Sequence, residues 1–222
     1  MTPLSVLRDS LYFFRRHFWA ILQLCLPLVV LESVSKQAVD HVIGVNGSPL
    51  YDIIVGLLFY PLYTAALILF LDARSDGYSP RNRDLLAMAV RLWPMFALLA
   101  GMSTVLIMLG VSIFVLPGLW VMVKLVFAEY LLVLRGMTPI AAMTESFRMS
   151  QGHFWRILAC VLGALVPLWT IDLISGAVWP QPGDLLSLVL DSLNGFLQLF
   201  TSVVLFRLYM LFNDQAPDTQ VQ

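Results

Sequence analysis

The run PMFALLAGMSTVLIMLGVSIFVLPGLWVMVKLVFAEYLLVLR, residues 94–135, decides the fold. Lys124 and Glu129 are its only charges before Arg135 closes it. As one helix rising about 1.5 Å per residue it would be roughly twice as long as the ~30 Å hydrocarbon core of a bilayer is thick. Pro117-Gly118 supplies a break, so the run is expected to form two antiparallel spans joined by a tight hairpin.

The rest of the chain has the same character. Hydrophobic residues make up 59% and charged residues 12% of its 222 positions, where a soluble domain carries about 25% charged. With a mean hydropathy of +0.84, this much apolar surface needs lipid as its solvent. Spans are expected at about 18–40, 52–72, 94–116, 118–135, 154–176 and 186–210. The fold class is therefore all-α, a polytopic membrane bundle of about six transmembrane helices. Gly44–Pro49 and Pro180–Gly183 mark further turns, and the polar tail 213–222 is expected to be disordered. Arg8, Asp9, Arg15 and Arg16 interrupt the first residues, so no cleavable leader is expected. No basic tract interleaved with aromatics points to nucleic acid.

Basic residues orient the spans. Arg8, Arg15 and Arg16 precede the first, and Arg74, Arg81, Arg83 and Arg91 lie between the second and third. Arg135, Arg148 and Arg156 lie between the fourth and fifth, and Arg207 ends the sixth. The other three loops have no Lys or Arg, which predicts a bacterial inner membrane with both termini cytoplasmic. Trp19, Trp93 and Trp155 then serve as inner interfacial anchors, with Trp120 and Trp179 at the outer face.

Residues 1–22, MTPLSVLRDSLYFFRRHFWAIL, align without gaps on 137–158, MTPIAAMTESFRMSQGHFWRIL, with nine identities. A shorter copy, SPRNRDLLAMAVRLW, runs from Ser79 to Trp93. The match points to duplication. Each copy opens with a hydroxyl residue and proline, the N-cap and first-turn preferences of a helix. Each then becomes amphipathic: Leu4, Leu7, Leu11 and Phe14 share a face, as do Ile140, Met143 and Phe147, and Leu85, Met88 and Leu92. Three units follow, about 1–73, 78–135 and 137–212. Each is an interfacial helix on the cytoplasmic leaflet, then a two-span hairpin.

Catalytic patterns are missing: no HExxH, no GxSxG and no glycine-rich phosphate loop. Cys25 and Cys160 sit singly in apolar segments, and neither a cofactor nor a metal is expected. His17 and His153 read as amphipathic anchors beside tryptophans, and His41 as part of the outer end of the first span. Intramembrane charges carry more information, because each costs at least ~2.5–3.5 kcal/mol unpaired. The candidate polar contacts are Glu32, Lys124, Glu129, Asp191 and Arg207. Lys124 is expected to meet Asp191 or Glu32, and Glu129 to meet Arg207, either as a packing clamp or along a polar pathway. Lys36, Asp40 and Asp172 are expected to reach outward. Pro27, Pro61 and Pro167 should kink their spans, and Asn194, Gln198, Thr201 and Ser202 should bond between helices.

SVLRDSLYFFRRHF, FVLPGLWVMVKLVFAEYLLVLRGMTPIAAMTESFRMSQ and LFRLYMLF together resemble the YciC-type family of bacterial inner-membrane proteins. The most specific part is Leu116-Pro117-Gly118, followed by Ala128, Gly136, Ala142, Ser146 and Arg148. The central pattern is also similar to the membrane domain of some glycerophosphodiester phosphodiesterases, and no appended catalytic domain is expected here. The resemblance implies location and topology and transfers no catalytic residue. A non-enzymatic membrane protein that organises lipid or a partner membrane protein is the first expectation. A transporter or lipid-translocating protein using the intramembrane charges is the second. Three hairpins of one orientation lack the inverted symmetry of alternating access.

Overall fold

The computed structural model describes residues 3–43, 50–178 and 184–213. Their elements are helices: α1 Pro3–Arg16, α2 Phe18–Ile43, α3 Leu50–Ser75, α4 Asn82–Ile113, α5 Val115–Leu125, α6 Ala128–Arg135, α7 Pro139–Met149, α8 Phe154–Val178 and α9 Asp184–Asn213. Six stretches are long and apolar enough to cross a membrane: Phe18–Val39, Leu50–Ser75, Asn82–Ile113, Val115–Arg135, Phe154–Val178 and Leu186–Asn213. The chain is an all-helical, multi-pass membrane protein. The turns at 44–49 and 180–183, Trp179 and the tail beyond 213 lie outside the described residues, as do the side chains of Leu4, Asp40 and His41.

The long apolar run does fold as a hairpin, but it turns earlier than Pro117-Gly118. The break is Phe114, in extended backbone (φ −170°, ψ 157°), and Pro117 lies in the first turn of α5. Proline has no N–H to contribute there and its fixed φ suits a first turn, so it starts the second helix instead of ending the first. Gly118 sets how closely the arms approach. A Cβ on Gly118 would stand 2.9 Å from the Val111 backbone nitrogen, and one on Gly110 would stand 2.8 Å from the Gly118 Cα. Backbone cannot yield as a flexible side chain can, so these arms meet only as glycine on glycine.

The three similar segments have three outcomes. Segment one is α1, a separate helix with a buried stripe of Val6, Ser10 and Phe14 and with Leu11 49% exposed. Phe14 packs edge-on against Phe200 and tilted against Phe196 of α9, and Leu7 meets Gly163 of α8. Segment three is α7, which buries Ala142, Met143 and Ser146 and leaves Ile140 68% exposed. The middle segment is no separate helix. It begins α4 and runs unbroken through Pro94, burying Leu85 and Ala89 and exposing Met88. Arg81, not Ser79, holds the N-cap position of α4, and Thr138 caps α7 without a side-chain hydrogen bond.

The buried stripes are thus rotated toward small residues. Where lipid is as apolar as leucine, burial need not sort every large hydrophobe inward, and small residues that permit close backbone approach share the contact with Phe14, Leu85 and Met143.

Candidate functional site

The fourth span is discontinuous, and its break gathers several polar groups. α5 ends at Leu125 and α6 starts at Ala128, with the chain out of helix between them. A break in a span strands backbone donors and acceptors that water cannot reach, at several kcal/mol each. Ser146 of α7 attends to both sides. Its hydroxyl donates to the Lys124 carbonyl at 2.7 Å and accepts from the Phe127 N–H at 3.1 Å. α7 reaches the break because Gly136, in left-handed conformation (φ 61°), ends α6 and turns the chain back along it.

Lys124 belongs to the same junction. It is 8% exposed, its Nζ donates to the Ser150 carbonyl at 3.3 Å, and it lies 5.8 Å from the centre of the Trp120 ring. The Ser150 hydroxyl in turn donates to the Ser146 carbonyl at 2.9 Å. The ammonium is held by a helix C-terminus and an aromatic face, both of which favour a cation.

The two carboxylates of the bundle interior are met by tyrosines of α3. Tyr60 donates to Glu129 Oε1 at 2.7 Å, while Tyr63 lies beside Glu32. The two rings pack edge to face, 5.7 Å between centroids. Glu32 is 8% exposed and also pairs with Lys36, one turn further along α2, at 2.7 Å. A string of Glu32, Tyr63, Tyr60 and Glu129 therefore crosses from α2 through α3 to α6. Tyr130 continues the polar links by donating to the Ser202 carbonyl of α9 at 2.8 Å.

The expected pairings are not formed. Lys124 meets neither Asp191 nor Glu32, because the fold of α7 brings Ser150 to it first and Glu32 has Lys36 on its own helix. Glu129 meets Tyr60 and not Arg207, which is exposed on a different face of the bundle. Asp191 lines a cavity of about 660 Å³ between α8 and α9, together with Asp172 and Asn194. There the Asn194 amide donates to Asp172 at 2.9 Å. Arg207 lines a second crevice, of about 400 Å³, between α1, α3 and α9. At about 100° per residue, the faces of α9 that carry Asp191 and Arg207 stand about 160° apart. Between them Phe196 and Leu199 are buried.

Trp19 and Trp155, at matching positions of the aligned segments, are 73% and 78% exposed. Trp93 is half-buried and donates to the Leu58 carbonyl at 2.9 Å, in the turn before Pro61. Among the described residues, no three His, Cys, Asp or Glu side chains gather as a metal site. The break at 126–127 and its serine clamp were missed by sequence reasoning. Ser146 stood out there as part of the family resemblance but without a role, because a span's interruption without glycine or proline leaves no local signal.

Over 197 residues the chain is 25% identical to a UPF0259 membrane protein of Yersinia pestis (strain Pestoides F), covering 87% of this chain and 75% of that one. It is equally similar to UPF0259 membrane proteins of Yersinia pseudotuberculosis serotype O:1b (strain IP 31758) and serotype O:3 (strain YPIII), each 25% identical over the same shares. No family model matches the chain, and no solved structure matches it.

Proposed function

We propose that this chain is a non-enzymatic protein of the bacterial inner membrane, with both termini cytoplasmic, that organises lipid at the inner leaflet. The likeness to YciC-type proteins enters this reading only as a shared membrane module. The observation that carries it is the exposure of Trp19 and Trp155, about three-quarters uncovered beside the exposed arginines Arg15, Arg16 and Arg156. An indole with one apolar and one polar side, next to a guanidinium, suits the headgroup layer. Leu11, Tyr12 and Ile140 add exposed apolar area on the same short helices. On this reading arginines reach anionic headgroups while the exposed rings seat in the boundary with the acyl chains.

Translocation is the weaker reading. The two crevices open on opposite faces of α9 with a packed layer between them, which supports separate pockets and not one route. The test is purification of the full chain in native lipid nanodiscs, followed by lipid identification and by a flux assay in sealed liposomes. Enrichment of anionic phospholipid with no solute flux and no lipid scrambling is expected. Scrambling or flux dependent on Glu129 or Asp191 would overturn the reading in favour of transport.

A further inference from the structure

The crevice between α1, α3 and α9 has a composition that the lipid reading leaves unexplained. Its walls are apolar, with Leu71 from α3, Phe13 from α1, and Val203, Phe206 and Met210 from α9. Its rim is polar: Arg207, Asp9 and Ser75. Arg207 is exposed and has no ion pair among the described residues, although the Asp9 carboxylate lines the same crevice. Arg74 sits between Leu71 and Ser75 on α3. Its guanidinium lies 5.5 Å from the centre of the Phe70 ring, and its Nε is buried with no hydrogen-bond partner. Arg74 stands next to the crevice on α3 without lining it. Further positive charge surrounds this end of the bundle, with Arg8, Arg15 and Arg16 exposed along α1.

A guanidinium at the mouth and hydrocarbon walls behind it match one class of molecule. We propose that this crevice binds a single anionic phospholipid, its phosphate at Arg207 and the upper part of an acyl chain against Leu71, Phe206 and Met210. The phosphate takes hydrogen bonds from the planar guanidinium fork of Arg207, which recognises it with direction as well as charge. A volume of about 400 Å³ falls at the lower end of small-ligand pockets, enough for the headgroup region and the start of a chain. Asp9 disfavours a headgroup with two negative charges next to Arg207, so a lipid carrying one net negative charge fits best. A soluble anion would gain nothing from the apolar walls. This site rests on the lipid-contact reading and narrows it to one lipid at one place.

The full-length protein is placed in nanodiscs of phosphatidylglycerol and phosphatidylcholine, extracted into mild detergent, and weighed by native mass spectrometry. One phosphatidylglycerol should stay bound when the remaining lipids have been stripped, and Arg207→Gln should lower that retained fraction about tenfold. Arg83→Gln, which removes an exposed arginine of α4 outside the crevice, should leave it unchanged. Met210→Trp fills the crevice without touching charge and should lower retention too, which covers the case of an Arg207 variant that fails to fold. Millimolar inorganic phosphate should not displace the lipid. Equal loss in Arg83→Gln would overturn the site while leaving general headgroup attraction intact. Unchanged retention in both crevice variants, or displacement by free phosphate, would also overturn it. Lipid scrambling by the wild type would instead remove the reading beneath it.

Discussion

Ser10 and Ser146 occupy the same position in the two aligned segments, and both are buried. The Ser10 hydroxyl donates to the Val6 carbonyl of its own helix at 2.7 Å, a bond the helix can do without. The Ser146 hydroxyl spans two helices and serves one acceptor and one donor. Ser146→Ala should therefore cost about 1–3 kcal/mol, the penalty of leaving buried backbone groups unmatched, whereas Ser10→Ala should cost clearly less. Thermal unfolding in detergent, followed by loss of monodisperse elution, compares them. His17, at the junction of α1 and α2, gives a pH signature. Partial burial, with Arg74 and Arg16 nearby, holds its pKa below the ordinary 6.5. The unfolded chain then takes up a proton that the folded chain resists, so this contribution is fully present above about pH 6.5 and is lost as pH falls toward the lowered value. A stability profile taken downward from about pH 7.5 should decline, and His17→Gln should decline less; parallel profiles would remove the residue from the explanation.

At the scale of elements, the α4–α5 hairpin depends on glycine against glycine. Gly118→Leu should separate the arms and sharply lower membrane abundance, since the obstruction is the Val111 backbone. Gly152→Ala is a milder comparison, its Cβ meeting nothing within 4 Å and its cost coming from φ of 76° alone. The faces of α1 and α7 are tested by charge. Leu7→Asp and Met143→Asp should lose far more protein than Arg8→Gln or Thr144→Asp, because Leu7 and Met143 contact neighbouring helices or lie in the core while Arg8 and Thr144 are exposed. Equal abundance of all four variants would mean that these faces are not packed as described. The spans could be read directly, because a 20-residue apolar run is the physical requirement for crossing a bilayer. The faces of the short helices could be read only in part: Phe14, Leu85 and Met143 of the expected stripes are buried, and Leu11, Met88 and Ile140 are not. A heptad-like stripe assumes water outside and hydrocarbon inside, and here Val6, Ser10, Ala89, Ala142 and Ser146 take the inner contacts while Leu11, Met88 and Ile140 turn outward. The charge pairings were illegible for a related reason. Lys124 and Glu129 found a carbonyl and a tyrosine hydroxyl, partners that carry no charge to notice.

For the whole molecule, the distribution of arginine is the organising fact. All of its arginines fall in the segments at one end of the six spans, and α4, α5 and α8, α9 present few charges at the other. The polar string through Tyr60 and Tyr63, the serine clamp and the two crevices are arranged around α3, α6 and α9. The most direct test of this account is the side of the membrane that each end occupies. In a background with Cys25→Ala and Cys160→Ala, single cysteines replace Asp52, near the arginine-free end of α3, and Arg83, near the arginine-bearing start of α4. A membrane-impermeant maleimide applied to intact spheroplasts should label the Asp52→Cys protein at once and the Arg83→Cys protein only after the membrane is opened. Labelling of Arg83→Cys from outside, or release of the chain without detergent, would contradict it.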